Sequence, residues 1–270
     1  MRPISWPARA RSCAAACVLV LCACAAPQQP AQRYQSIVAS PDRAAADRTN
    51  DERRKPAEML AFIGVRPGIT ALDVSAGRGY TTELLARAVG PEGRVYGQRP
   101  PSAAAARPPA QPEGRAAPPP AVPSPATMPT LAERASKFGN MVAVTRPFED
   151  PAPPDAANGG LDLVTLMFNY HDLGHLGVDR DAMNRAIFRA LKPGGLYVIA
   201  DHSGRPGTGI SESGTLHRVE EALVLREVQA AGFRLQARGD FLRNPQDPRD
   251  RNTPEPPMPK DEFVLKFVKP

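Results

Sequence analysis

The chain has 270 residues, a hydrophobic fraction of 42% and a formal net charge of +6. That length and apolar content suit one sizeable domain with tails, while 32 prolines exclude regular structure throughout. With Arg2, Arg9 and Arg11 set aside the net charge falls to +3 and the remaining arginines are scattered, which argues against a nucleic-acid partner.

The chain begins with those three arginines, followed by the apolar run Cys13 to Ala23. The run is too short to span a bilayer and suits the core of a signal peptide. It ends in Leu21-Cys22-Ala23-Cys24, which resembles the bacterial lipobox, in which the last cysteine is acylated after cleavage. The expectation is a signal peptide over 1–23, a lipidated Cys24 and a polar tether over 24–40; ordinary cleavage near Ala26 is the alternative. Ala25 stands where inner-membrane lipoproteins carry an Asp, so the resemblance implies a lipid-anchored envelope protein on the outer membrane, facing the periplasm. All four cysteines lie at or before Cys24, which leaves no disulfide or cysteine metal site in the rest of the chain.

Residues 41–270 read as the folded domain. Pro41 to Ile63 reads as helical and ends at Gly64 and Pro67-Gly68. A strand over Ala71 to Val74, a helix over Thr81 to Val89 and a strand over Arg94 to Gly97 follow. From Pro100 to Pro129 there are 11 prolines in 30 residues, a low-complexity insert that forms neither helix nor central strand. Beyond it come a short helix (Leu131 to Phe138), strands over Met141 to Thr145 and Leu161 to Phe168, and a helix over Ala182 to Leu191. Lys192-Pro193-Gly194-Gly195 stops that helix before a strand over Leu196 to Ala200. A helix over Leu216 to Ala231 and two strands, Phe233 to Leu242 and Glu262 to Val268, complete the chain. Alternation of β and α ending in two successive strands implies an α/β domain with a mostly parallel sheet and an antiparallel edge.

The stretch Thr70-Ala71-Leu72-Asp73-Val74-Ser75-Ala76-Gly77-Arg78-Gly79-Tyr80 is a strand ending in an acid, a small-residue turn and a helix start. Such a turn lets a ligand approach the backbone and meet the free N–H groups of the helix. It resembles the D-x-G-x-G-x-G cofactor motif of class I S-adenosylmethionine (SAM)-dependent methyltransferases, with Ser75 at the first glycine. Leu191-Lys192-Pro193-Gly194-Gly195 adds to that resemblance. The resemblance implies a Rossmann-like, seven-stranded, mostly parallel sheet with one antiparallel edge strand, SAM as cofactor and a small-molecule acceptor.

Ligands in open α/β sheets bind beyond the carboxyl ends of the strands. The resemblance therefore directs attention to Asp73, Ser75, Gly77, Gly79 and Tyr80 after strand one. Gln98 follows strand two, where the family places a ribose-binding acid. Phe148 and Glu149 follow strand three, where Pro147 replaces the usual adenine-binding Asp. Asn169 follows strand four and opens the polar run Asn169-Tyr170-His171-Asp172. Tyr170, His171, His202 and His217 are the candidates for acceptor chemistry, with His171 as general base. All four histidines (with His175) fall in or beyond loops at this edge. The chain further resembles a subgroup of exported, predicted methyltransferases in Asn169-Tyr170-His171-Asp172, Asp201-His202-Ser203, Leu216-His217-Arg218 and Arg243-Asn244-Pro245. Two other readings compete: a binding protein that keeps the fold without methyl transfer, and a metal-dependent hydrolase using His171, His175 or Asp172, His202 and His217. The last is disfavoured by Leu173-Gly174 inside the H-x-x-x-H spacing, and no metal is expected.

Overall fold

The computed structural model describes residue 1 and residues 30–101, 129–254 and 258–270. The signal-peptide, lipidation and Cys24 expectations, and nearly all of the proline-rich insert, lie outside the described residues. Among the described residues no helix is long and apolar enough to cross a membrane.

Three helices precede the sheet: α1 (Pro30–Ala39), α2 (Ala45–Arg54) and α3 (Pro56–Ile63). Two expectations are corrected here. The last part of the expected tether is α1, because Tyr34, Ile37 and Val38 share one apolar face. Tyr34 is buried and donates its hydroxyl to the Val65 carbonyl at 2.8 Å. The helical segment after it is two helices, broken where Lys55 turns left-handed (φ 42°) before Pro56.

The α/β unit then runs β1 (Thr70–Val74), α4 (Tyr80–Val89), β2 (Arg94–Arg99), α5 (Leu131–Ala135), β3 (Met141–Thr145), β4 (Leu161–Met167), α6 (Asp172–His175), α7 (Arg180–Ala190), β5 (Leu191–His202), α8 (Glu221–Ala230), β6 (Arg234–Gly239) and β7 (Glu262–Val268). The seven strands lie in the order β3-β2-β1-β4-β5-β7-β6. β1 to β5 are parallel, and β7 is antiparallel to both β5 and β6. The expected mostly parallel sheet with an antiparallel edge is thus present, and the reversed strand slots between β5 and β6. Lys192 to Gly195 bulge out of β5, since Leu191 pairs with Leu161 and Leu196 with Leu163.

Two buried apolar clusters, one centred on Leu72, Leu166, Ile199 and Phe267 and the other on Leu85, Leu163, Val198 and Ile63, fill the two faces of the sheet. Strands covered on both faces read as continuous apolar runs, as β4 does. The strand order reverses between β1 and β4, which opens the carboxyl edge at that point. The last expected helix is shorter than its sequence pattern. His217 adopts φ 51° and Val219 bridges to Ser203, so α8 starts only at Glu221.

Candidate functional site

The turn after β1 holds the first part of the edge. Ser75 adopts φ 58° and Gly77 φ 56°, the left-handed region that disfavours side chains. Ser75 is held there by two bonds: its N–H donates to Gln98 Oε1 at 2.8 Å and its hydroxyl donates to Asn169 Oδ1. Gly77 is exposed and a side chain there would meet nothing within 4 Å, so its face is open to a ligand. Gly79 serves another purpose. A Cβ there would lie 2.8 Å from Leu131, so this glycine admits α5 against the start of α4.

Several residues expected to hold the cofactor are committed to the protein instead. Asp73 is buried and accepts from Thr82 Oγ1 at 2.6 Å and Thr165 Oγ1 at 2.9 Å, which orders the turn. Burial outweighs those bonds and raises its pKa to about 6. Gln98 is fully buried, and its Nε2 donates to the Arg146 carbonyl at 2.6 Å while its Oε1 holds Ser75. It ties the loops after β1 and β3 to β2 and is not free to grip a ribose. Phe148 is buried in the core rather than available for stacking. Glu149 accepts from the Asp179 N–H at 3.2 Å. The Tyr80 hydroxyl donates to Asp51 of α2 at 2.6 Å.

α2 lies across this end of the sheet. Asp47 and Glu83 both pair with the buried Arg134 of α5, so the helix is clamped to α4 and α5. At its end the Arg54 guanidinium sits 5.1 Å from the Tyr80 ring centre and 4.7 Å from that of Phe168. Its Nε is buried without a hydrogen-bond partner, and burial lowers its pKa to about 10. Nothing in the charged run of α2 marked this one arginine out.

The second part of the edge lies beyond β4 and β5, where the histidines meet. The ring centres of His171 and His202 are 5.3 Å apart, those of His171 and His217 5.6 Å, and those of His175 and His217 5.9 Å. Two carboxylates organise them: Asp201, which had no expected role, and Asp172, expected only in the hydrolase reading. Asp201, at the end of β5 and fully buried, accepts from the His171 N–H at 2.7 Å and faces His171 Nδ1 at 2.6 Å. Asp172 Oδ1 lies 3.2 Å from His171 Nε2 and 2.9 Å from His217 Nδ1. Asp172 Oδ2 accepts from Asn169 Nδ2 at 2.8 Å. Asn169 therefore links the glycine turn to the histidine cluster. His202 Nδ1 is 3.0 Å from Glu262 Oε1, but the two are not aligned as a hydrogen bond.

This geometry revises two catalytic expectations. Tyr170 is fully buried in the core, where its hydroxyl donates to Glu227 Oε2 at 2.6 Å and accepts from Asn184. Its side chain enters the core between α7 and α8, while that of the next residue, His171, stands at the edge. His171 is 4% exposed with a carboxylate at each ring nitrogen. Burial opposes its charge, but Asp201 and Asp172 prevail and raise its pKa to about 9. An imidazolium at neutral pH is not a general base. Burial instead drives His202 well below the usual histidine range. His171 and His217 hold Asp172 low against the cost of its burial. His171, Asp172 and His217 offer one donor atom each within 4.8 Å of one another, a set able to hold a metal ion. Ser75, Phe168 and His217, three of five non-glycine residues with positive φ among the described residues, lie along this edge. Such strain concentrates where function constrains the backbone.

Fold and edge together define the class I SAM-dependent methyltransferase fold. Residues 29–99 match the family model of protein-L-isoaspartate (D-aspartate) O-methyltransferase, a span that contains the glycine turn and stops before the histidines. A SAM-dependent methyltransferase from Aquifex aeolicus is similar over 90% of this chain and all of its own, at 16% identity and a TM-score of 0.52. An arsenic(III) S-adenosylmethionine methyltransferase from Chlamydomonas reinhardtii is similar over 90% of this chain and 74% of its own, at 15% identity and a TM-score of 0.51. The [4+2]-cyclase SpnF shares the fold over 80% of this chain and 82% of its own, at 16% identity and a TM-score of 0.52. No curated protein matches the chain in sequence.

Proposed function

We propose that the protein transfers a methyl group from SAM to a small molecule held at the histidine cluster. The observation that carries this reading is the convergence of all four histidines beside an open glycine turn, with Asn169 joining the two. The residues present fit the amino-acid end of SAM. Gly77 leaves its face open, and Arg54, whose Nε is unpartnered and whose guanidinium lies over the Tyr80 ring at the start of α4, is a cation that suits a carboxylate. When bound, SAM supplies an electrophilic methyl on its sulfonium.

The chain's own groups do the rest. A hydroxyl or amine acceptor loses its proton to His217, whose side chain is 19% exposed and is oriented by Asp172. A cavity of 320 Å³ lined by Arg53, Phe241, Arg243, Lys260 and Glu262 adjoins His202 through Glu262 and gives the acceptor room. At the ribose position Gln98 is engaged and no carboxylate replaces it. Losing one charge-assisted bond costs about 1.5–3 kcal/mol, so SAM affinity one to two decades below that of acid-bearing relatives is expected.

Calorimetry with SAM tests the reading. Binding that Gly77→Val abolishes and Arg54→Gln weakens supports it; absence of binding, or binding indifferent to both changes, overturns it. The lipobox-like run further supports anchoring of the protein to the bacterial envelope through Cys24. A Cys24→Ser variant should then leave the membrane fraction, and one that still pellets with membranes refutes the anchor.

A further inference from the structure

We propose that His171, Asp172 and His217 bind a divalent first-row transition-metal ion, with zinc as the test case. The proposal rests on reading this edge as the acceptor site, but not on methyl transfer. Zinc bonds of 2.0–2.2 Å in a tetrahedral site place neighbouring ligand atoms about 3.3 Å apart. Asp172 Oδ1 is 3.2 Å from His171 Nε2 and 2.9 Å from His217 Nδ1. Both carboxylate–imidazole spacings thus stand near that value, and all three donors lie within 4.8 Å of one another. Two imidazoles and one carboxylate are a donor set suited to zinc, iron and their neighbours, and not to magnesium or calcium.

A second observation comes from behind the ligands. Metal-binding histidines regularly give their other ring nitrogen to a carboxylate, which sets the tautomer and strengthens the ligand. Asp201 is placed for this. It is fully buried, faces His171 Nδ1 at 2.6 Å and is itself fixed by the N–H groups of His171 and His202 at 2.7 Å each. Asn169 holds the other oxygen of Asp172 in the same way. The loop carrying His217 is held in a left-handed turn that delivers its ring to Asp172.

His175, a third histidine, stands just outside the set. His175 Nδ1 lies 3.8 Å from Asp172 Oδ1 and is shared with Ser213 Oγ at 3.0 Å. Three protein ligands then leave a position open, as catalytic sites do and structural ones do not. An acceptor oxygen or sulfur entering that position would be made more acidic by the ion. The proton would then pass from the bound acceptor to solvent water, without a dedicated basic side chain. The H-x-x-x-H objection raised on sequence does not apply, because the set uses Asp172 and His217 rather than His175.

The test uses full-length, tag-free protein with its cysteines alkylated, stripped with EDTA and dialysed. Zn²⁺ is titrated by calorimetry without SAM, and Co²⁺ by its visible absorption. One ion per chain at micromolar affinity or tighter is expected. Asp172→Asn and His217→Ala should each weaken it by 100-fold or more, and Asp201→Asn by about 10- to 100-fold. His217 is partly exposed, so its variant keeps the test valid should the buried ones fail to fold. No saturable binding, or variants that bind like the parent, overturns the proposal. Zinc bound without SAM affinity keeps the metal site and removes the methyltransferase reading; SAM bound without zinc does the reverse.

Discussion

The two sides of the carboxyl edge use their polar groups in opposite ways. On the β1–β2–β3 side, the side chains at strand ends are satisfied within the protein: Asp73 by two threonines, Gln98 by two loops, Glu149 by the start of α7. On the β4–β5 side, groups from three separate loops converge and the resulting cluster stays open to solvent. Position at a strand end is therefore shared by both sides and does not by itself make a residue functional. What separates them is whether the paired groups stay within reach: His217 and Asp172 keep part of their side chains exposed, whereas Asp73 and Gln98 are buried.

The largest expected effect tests the open side. Changing His217 to Ala should lower transfer of labelled methyl from SAM to an acceptor by about 10²–10⁴-fold, with the melting temperature nearly unchanged. A variant that unfolds, with activity per folded molecule preserved, would move His217 to the structural side. Tyr170→Ala should show the reverse pattern. Emptying a fully buried aromatic site costs about 3–5 kcal/mol by urea denaturation, while the folded fraction keeps its turnover. Loss of turnover in a stable Tyr170→Ala protein would return this residue to the acceptor site.

Asp73 offers a pH test of the buried side. Its folded pKa of about 6 stands above the ordinary carboxylate value. The native state thus holds this proton more tightly than the unfolded chain. The associated stability is full below about pH 4 and is lost as pH rises through about 6, up to about 3 kcal/mol in all. Denaturation curves for the parent and Asp73→Asn between pH 4 and 7 should differ by that slope. Parallel curves would show that Asp73 is not the buried acid described. Smallest is Gln98→Ala, which strands the Ser75 N–H and the Arg146 carbonyl. It should cost about 1–3 kcal/mol of stability and little SAM affinity at the ribose itself. A stable variant with tenfold weaker SAM binding would blur the contrast by giving Gln98 a direct ligand role.

Much of the architecture was legible because it is written in local pattern. The apolar runs of β1 and β4, the small-residue turn and the Pro-Gly-Gly stop each carry their signal within a few residues. Placement of the histidines at one edge followed from strand ends alone. Side-chain direction did not follow. Phe148 and Tyr170 sit at strand ends yet point into the core, and the groups that receive Tyr170, Asn184 of α7 and Glu227 of α8, are distant in sequence. Asp201 stood in the Asp201-His202-Ser203 run without a role of its own, since its partner His171 is 30 positions away. α1 carried a visible signal, Tyr34, Ile37 and Val38 at helical spacing, hidden by a polar composition. The stretch from Leu216 to Glu220 looked helical because nothing local reveals that His217 must turn left-handed to reach Asp172.

Asn169 gives the two sides a common fate. Its carbonyl oxygen receives Ser75 and its amide donates to Asp172, so the plane of one side chain is set from both directions. A ligand at the glycine turn that shifts this plane alters how Asp172 is presented to the histidines. By linkage, whatever factor such a ligand imposes on affinity at Asp172 is returned in full when the order of arrival is reversed. Occupancy of the two sides would then be cooperative or antagonistic by the same measured ratio, and Asn169→Ala should bring that ratio to one.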